Sequence, residues 1–336
     1  MVSPREEDKS ENPFYPFMLV ETNLGIPIPV VHHVLAAASA EFMDNKGKLR
    51  EDRSKLELSS RVLFMINPEH STAANTRKQL IQEEVIDGQS ELHLINLMFT
   101  IPRHSKSAIA WHHRKWLREF VERSTGSSFD IESERKICER TATIYPRNYY
   151  SWVYRHNLLK LMASDTAALK TEYNWSRAWV ESHISDHTGI QHLERCLIMT
   201  GLEFDIIEHW SWTADNIKRY PGHEALWCHL RFCSHFAASR RKLLADSIVT
   251  FIQECMEECD RATGEEGVLL QKQLASRYSL WVARLAACSS QVDASSKALL
   301  VKTSLIYVNE LMELDDHSKF YDDWSTNTFI TKIDIK

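Results

Sequence analysis

Residues 145–159 read YPRNYYSWVYRHNLL: a proline turn, a polar cluster, then Trp152 with Arg155 three places on. Residues three apart share one face of a helix, so the indole and the guanidinium lie on the same side of any helix that begins near Asn148. The stretch decides the fold because it recurs. Aligned on Trp152, the chain also contains NPEHSTAANTRKQL (67–80), SKSAIAWHHRKWL (105–117), SDHTGIQHLERCL (185–197) and YPGHEALWCHLRF (220–232). The tryptophan column reads Ala74, Trp111, Trp152, Ile190 and Trp227, at intervals of 37, 41, 38 and 37 residues. Such a period fits two helices and two short loops, a unit that buries its apolar face only by stacking on its neighbours.

Within each unit the motif opens the second helix. Pro68, Pro146 and Pro221, six places before the aligned position, are expected in its first turn, where a missing N–H costs nothing. His70, Asn148, Asp186 and His223, four places before it, sit where a cap belongs, and Asn148 and Asp186 are good capping residues. Three places after it stand Arg77, Arg114, Arg155, Leu193 and Leu230. Trp111, Trp152 and Trp227 read as core that packs each hairpin, and Arg114 and Arg155 as structural groups that satisfy loop carbonyls of the adjacent unit.

Amphipathic stretches with helical spacing lie between the motifs and supply the first helices: SKLELSSRVLFMI, SELHLINLMFT, SERKICERTATI, YNWSRAWVESHI and FDIIEHWSWTADNIKRY. No segment shows convincing strand alternation. Past Phe236 the repeat loosens, yet three further amphipathic stretches read as helices that cap the array. The expected architecture is an all-α, right-handed, crescent-shaped superhelical array of helical hairpins, an α-solenoid. One repeat domain is expected over 31–315, with five units within about 60–235, a loosely held arm over 1–30 and a tail over 316–336.

Composition agrees. The 336 residues hold 9 glycines, well under the usual share of about 7% on which hairpins and phosphate loops draw. Net charge is −6 with histidines neutral, which provides no cationic field for a polyanion and argues against nucleic acid as a partner. The seven cysteines are scattered, with no C-x-x-C pair, and read as reduced residues of a cytoplasmic protein. No apolar run reaches the ~18 residues of a membrane span. The adjacent pairs His32–His33 and His112–His113 point to different helix faces, so neither chelates one ion readily, and no metal site is expected.

The Asn/Pro cluster followed by Trp-x-x-Arg resembles the repeat of the protein prenyltransferase α-subunit family, with five units in order over roughly 60–235. That resemblance implies a crescent of helical hairpins wrapped around a β-subunit. It implies an α-like subunit of a heterodimeric protein geranylgeranyltransferase, inactive alone, that modifies a cysteine of an acceptor protein, such as a SNARE already carrying a farnesyl group. It places zinc and the prenyl diphosphate in the β-subunit, implied to be the one shared with the Rab enzyme. The family's catalytic lysine falls on Lys106; its diphosphate-contacting tyrosine and the neighbouring polar residue fall on Tyr149 and Tyr150, and Arg147 occupies the basic slot beside them. An allylic diphosphate gathers negative charge as it leaves, and pre-placed cations and hydroxyls stabilise that charge. Two other readings stand beside this one: the α-subunit of farnesyltransferase, of geranylgeranyltransferase type I or of the Rab enzyme, and a non-catalytic helical scaffold.

Overall fold

The structure is a computed structural model that describes residues 15–21, 23–46, 53–126, 129–201, 205–240, 243–261 and 266–314. Residues 1–14 of the expected arm and the whole of the expected tail, 316–336, lie outside them. The chain divides into two compact units, Met1–Leu158 and Leu159–Lys336.

The first unit opens with a β-hairpin, β1 (Met18–Val20) antiparallel to β2 (Asn23–Gly25), in register Met18 to Gly25. This pair corrects the expectation of no strand; three-residue strands are too short to show alternation in sequence. Helix α1 (Ile28–Lys46) precedes the repeat. Then come the hairpins α2 (Arg53–Ile66) with α3 (Ser71–Gln82), α4 (Gly88–Met98) with α5 (Ala108–Thr125), and α6 (Ile131–Ile144) with α7 (Tyr149–Leu161). The boundary between the units falls in the last turn of α7. The second unit holds α8 (Thr166–Ser182) with α9 (His187–Thr200), α10 (Ile206–Arg219) with α11 (Glu224–Ser239), and then α12 (Ala245–Arg261), α13 (Glu266–Cys288) and α14 (Ala294–Leu314).

The capping column works as its chemistry dictates. Asp186 accepts from the amides of Thr188 and Gly189, Ser107 from Ala110, Asn148 from Ser151, and the His70 ring nitrogen from Ala73. His223 holds the same place without a side-chain cap and bonds Ser185 instead. Pro68, Pro146 and Pro221 lie in the turn before the cap rather than in the first helical turn. Gly222, next after Pro221, has φ +80 and its Cα faces Gly267 of α13 so closely that a Cβ would stand 3.1 Å from the Gly267 carbonyl oxygen.

Trp111, Trp152 and Trp227 are buried, and Ala74, Ile190, Leu193 and Leu230 fill their departures from the motif with buried apolar side chains. The arginines behave differently from expectation. Arg77 Nε donates to Glu91 at 2.9 Å and Arg114 Nε to Glu134 at 2.7 Å; all four residues are buried. Each pair ties the second helix of one hairpin to the first helix of the next through a carboxylate, because a buried guanidinium needs a counter-charge that a carbonyl cannot supply. Arg155 does reach a main-chain oxygen, that of Arg135, at 3.0 Å, within its own hairpin.

A further column braces the two helices of the second to fifth hairpins. The residue two places after the aligned position bonds a polar residue of the first helix: His113 to Glu91 at 2.7 Å, Tyr154 to Glu134 at 2.6 Å, His192 to Glu172 at 2.8 Å, and His229 to His209 at 2.8 Å. All eight side chains are buried. Buried polar groups need partners of their own, so this column fixes the register of each pair.

Candidate functional site

The starts of α3, α5 and α7 are stitched together in the first unit. Ser107 Oγ donates to the Pro68 carbonyl at 3.0 Å, and Asn148 Nδ2 donates to the Ser105 carbonyl at 2.8 Å. The same Ser105 oxygen accepts from Trp111 Nε1 at 2.7 Å, so the core indole anchors the turn that carries Lys106. This turn is a short 3-10 helix, His104–Lys106, directly before α5.

Lys106 is exposed, and its Nζ donates to Tyr145 Oη at 2.9 Å while standing 4.9 Å from the centre of that ring. An ammonium held by a phenol at its hydroxyl and near its ring loses much of its rotamer freedom. Burial, helped by Arg103, holds the neighbouring His104 below the usual histidine range, so the ring adds no charge near pH 7.

Arg147 lies on the same edge, exposed, with φ +59. It holds the same repeat position as Lys106 and Gly222, five before the aligned residue. In the fifth unit a glycine takes the left-handed conformation without cost; in the third an arginine takes it against a penalty of about 1–2 kcal/mol. Tyr149 opens α7 with its ring 58% exposed, and Tyr150 is 38% exposed, edge-on to it at 5.4 Å. Two exposed phenols thus stand at the start of α7, directly after Arg147 and the capping Asn148 in the chain.

The fold therefore brings Lys106, Arg147, Tyr149 and Tyr150 to neighbouring helix starts, while Trp111, Arg114, Trp152 and Arg155 lie beneath them in the core and Trp227 in the core of the second unit. Sequence reasoning missed Tyr145, which lies 39 residues from Lys106. The recurrence of tyrosine before the Pro of the third and fifth units, Tyr145 and Tyr220, was the available signal. The expectation that no ligand cluster exists is also corrected: His209, His229 and Cys233 place one ligand-type atom each within 4.8 Å of one another, all buried.

Residues 131–162, which form the α6–α7 hairpin, match the model of the protein prenyltransferase alpha subunit repeat. That match falls on the same stretch whose motif recurs along the chain, so one hairpin at least is of this repeat type. Among curated relatives it is 28% identical over 276 residues to protein prenyltransferase alpha subunit repeat-containing protein 1 of Danio rerio, covering 64% of this chain and 63% of that one. The Homo sapiens protein of the same name is 26% identical over 280 residues, 64% of this chain and 68% of the relative. This chain thus spans less than two thirds of the zebrafish relative's length. The geranylgeranyl transferase type-2 subunit alpha of Dictyostelium discoideum is 31% identical over 129 residues, 36% of this chain and 40% of the relative. Among solved structures, a chain of Candida albicans protein geranylgeranyltransferase-I complexed with GGPP superposes with a TM-score of 0.57 over 91% of this chain and 100% of that one. At 14% identity this is a likeness of fold, and it agrees with the all-α superhelical class expected from the sequence. No described helix is long and apolar enough to cross a membrane.

Proposed function

We propose that this chain is the α-like subunit of a heterodimeric protein geranylgeranyltransferase of the cytoplasm, and that its part in the reaction is to receive the leaving diphosphate. The observation that carries the reading is the fixed ammonium of Lys106 on Tyr145, at a helix start stitched to the one that carries Arg147 and Tyr149. Backbone strain at Arg147 supports it, since residues held in costly conformations concentrate where function requires them. The names of the relatives supply the reaction class.

In this reading the β-subunit holds zinc, the isoprenoid pocket and most of the acceptor site. The acceptor cysteine attacks the first carbon of the donor and the diphosphate departs. Lys106, Arg147 and the Tyr149 hydroxyl offset the charge that builds on it, with Tyr150 beside them, and the turn anchored by Trp111 and Asn148 keeps the ammonium in place before reaction begins. The partner is taken to be the β-subunit shared with the Rab enzyme, consistent with the type-2 α-subunit among the relatives, and the acceptor a protein already farnesylated on a nearby cysteine, such as a SNARE.

The test is reconstitution. The chain is co-expressed with each candidate β-subunit, heterodimers are isolated, and transfer of labelled geranylgeranyl to a farnesylated SNARE is followed. The expected result is transfer by one heterodimer and none by either chain alone. A stable heterodimer with every β-subunit tried but no transfer above background would leave the chain a helical scaffold.

A further inference from the structure

The fifth hairpin departs from the rule that braces the others. In three earlier units the first helix offers a carboxylate, Glu91, Glu134 or Glu172, to the partner two places after the aligned residue. In the fifth, the carboxylate is replaced by a second imidazole, His209, facing His229 with the two Nε2 atoms 2.8 Å apart. Four residues on, Cys233 occupies the place that Leu80, Leu117 and Leu158 fill in the first three units, and its sulfur lies 3.7 Å from His229 Nε2. All three residues show no solvent exposure.

We propose that His209, His229 and Cys233 form a structural zinc site that clamps α10 to α11. It is separate from the edge that carries Lys106 and independent of the function proposed above. Tetrahedral zinc with bonds of about 2.0–2.1 Å to nitrogen and about 2.3 Å to sulfur sets ligand atoms about 3.3 Å apart for N–N and about 3.6 Å for N–S. The observed 2.8 and 3.7 Å reach these values after the two rings part by about half an ångström, and the remaining His209–Cys233 separation lies within 4.8 Å, so small side-chain shifts close the site.

The outer atoms are arranged as a metal site needs. His229 Nδ1 bonds Glu194 Oε1 at 3.2 Å, and His209 Nδ1 bonds Tyr173 Oη at 2.7 Å, an oxygen that also accepts from Arg177 Nη1 at 3.2 Å. Ligating histidines commonly give their second N–H to such partners, which fixes the tautomer and aims the free lone pair. The tautomer sets what the 2.8 Å contact is: one Nε2–H can donate to the other ring, whereas protonation of both Nδ1 atoms, donating to Glu194 and Tyr173, turns both Nε2 lone pairs towards one cation.

Binding forms two N–Zn bonds and one S–Zn bond, and the Cys233 thiol proton leaves to solvent. The dication, the thiolate and the Glu194 carboxylate then sum to no net charge. The fourth position falls to a water or to Thr213, whose hydroxyl lies 3.9 Å from the Cys233 sulfur. Two histidines and one thiolate in a closed pocket favour zinc over the hard cations, which require oxygen ligands.

The experiment uses the untagged full chain without any β-subunit. After exposure to zinc and exhaustive dialysis, mass spectrometry of the metal should give ~1 zinc per chain, and cobalt in its place should show the visible bands of a tetrahedral site with a sulfur-to-metal charge-transfer band. Cys233→Ala and His209→Gln should each weaken binding by at least about tenfold and abolish the charge-transfer or alter the visible bands. Replacing Cys228 and Cys288, which are exposed, should change neither. A folded wild-type chain that retains no zinc overturns the proposal, as does unchanged binding in the folded variants. Should the variants not fold, the wild type decides: zinc must raise its melting temperature and cobalt must report a thiolate ligand, and failure of either overturns the proposal.

Discussion

Glu91 is the carboxylate on which the first unit depends most, and replacing it with glutamine isolates its charge. Its side chain is fully buried between Arg77, at 2.9 Å, and His113, at 2.7 Å. Burial alone would push its pKa up; hydrogen bonds from His113 and Arg77 and the arginine's charge overcome that and hold it at about 2, against an ordinary 4.5. At about 1.4 kcal/mol per pH unit, that displacement corresponds to about 3 kcal/mol of stability. Breaking a buried pair by removing one partner costs about 3–5 kcal/mol, so the two routes to the number agree.

Glu91→Gln should therefore destabilise the α4–α5 region by about 3 kcal/mol at pH 7. Urea titration supplies the free energy, and hydrogen exchange at the α4 and α5 amides assigns the loss to this hairpin. The pH dependence has a fixed sign. A folded-state pKa below the unfolded value makes the contribution complete above pH 4.5 and removes it as pH falls from 4.5 towards 2. His113, held below its ordinary 6.5 chiefly by burial, adds a loss that begins below pH 6.5, because the unfolded imidazole takes its proton first. The variant should lose less stability than the wild type between pH 4.5 and 3. A loss under about 1 kcal/mol at pH 7 with an unchanged acid profile would refute the reasoning.

Three further substitutions probe the repeat turns. Gly222→Ala should cost about 1–2 kcal/mol, since its φ of +80 and the 3.1 Å approach to the Gly267 oxygen both exclude a methyl; thermal melting reads the loss. Arg147→Gly at the same repeat position should raise stability by about 1 kcal/mol and lower transfer in the reconstituted heterodimer, and a variant that is destabilised would show the left-handed conformation to be no burden. Asp186→Ala removes a cap on two amides together with a bond from Trp179 Nε1 at 3.2 Å, so it should cost about 2 kcal/mol, the upper end for a cap, as measured by denaturant titration.

The helices and their pairing are legible in the sequence because two local signals repeat together. An aromatic column sets the period, and a capping residue four places earlier sets each helix start. What joins one hairpin to the next is not local. Arg77 finds Glu91 at a separation of 14 residues and Arg114 finds Glu134 at 20, and second helices of unequal length, 12 residues in α3 and 18 in α5, hide that correspondence. The bracing column of His113, Tyr154, His192 and His229 was visible as a polar residue recurring inside an apolar face, yet its partners sit on another helix. Lys106 was singled out through the resemblance of its unit to the family's second repeat, whereas Tyr145, which holds it, belongs to the next unit. The cluster of His209, His229 and Cys233 was missed for a similar reason: His229 and Cys233 lie four apart on α11, but His209 comes from α10, twenty residues before His229. The prolines were displaced by one turn because the capping residue, not the proline, begins each helix.

The central claim is that Lys106 acts on the leaving group, and the rate of prenyl transfer by a reconstituted heterodimer carrying Lys106→Ala tests it most directly. Turnover should fall by at least about tenfold, with the heterodimer intact and the acceptor KM nearly unchanged, because the ammonium acts on the donor's diphosphate, whose negative charge grows as it departs, and not on the acceptor. Wild-type turnover in an intact heterodimer would contradict it, and loss of the heterodimer itself would make Lys106 an interface residue.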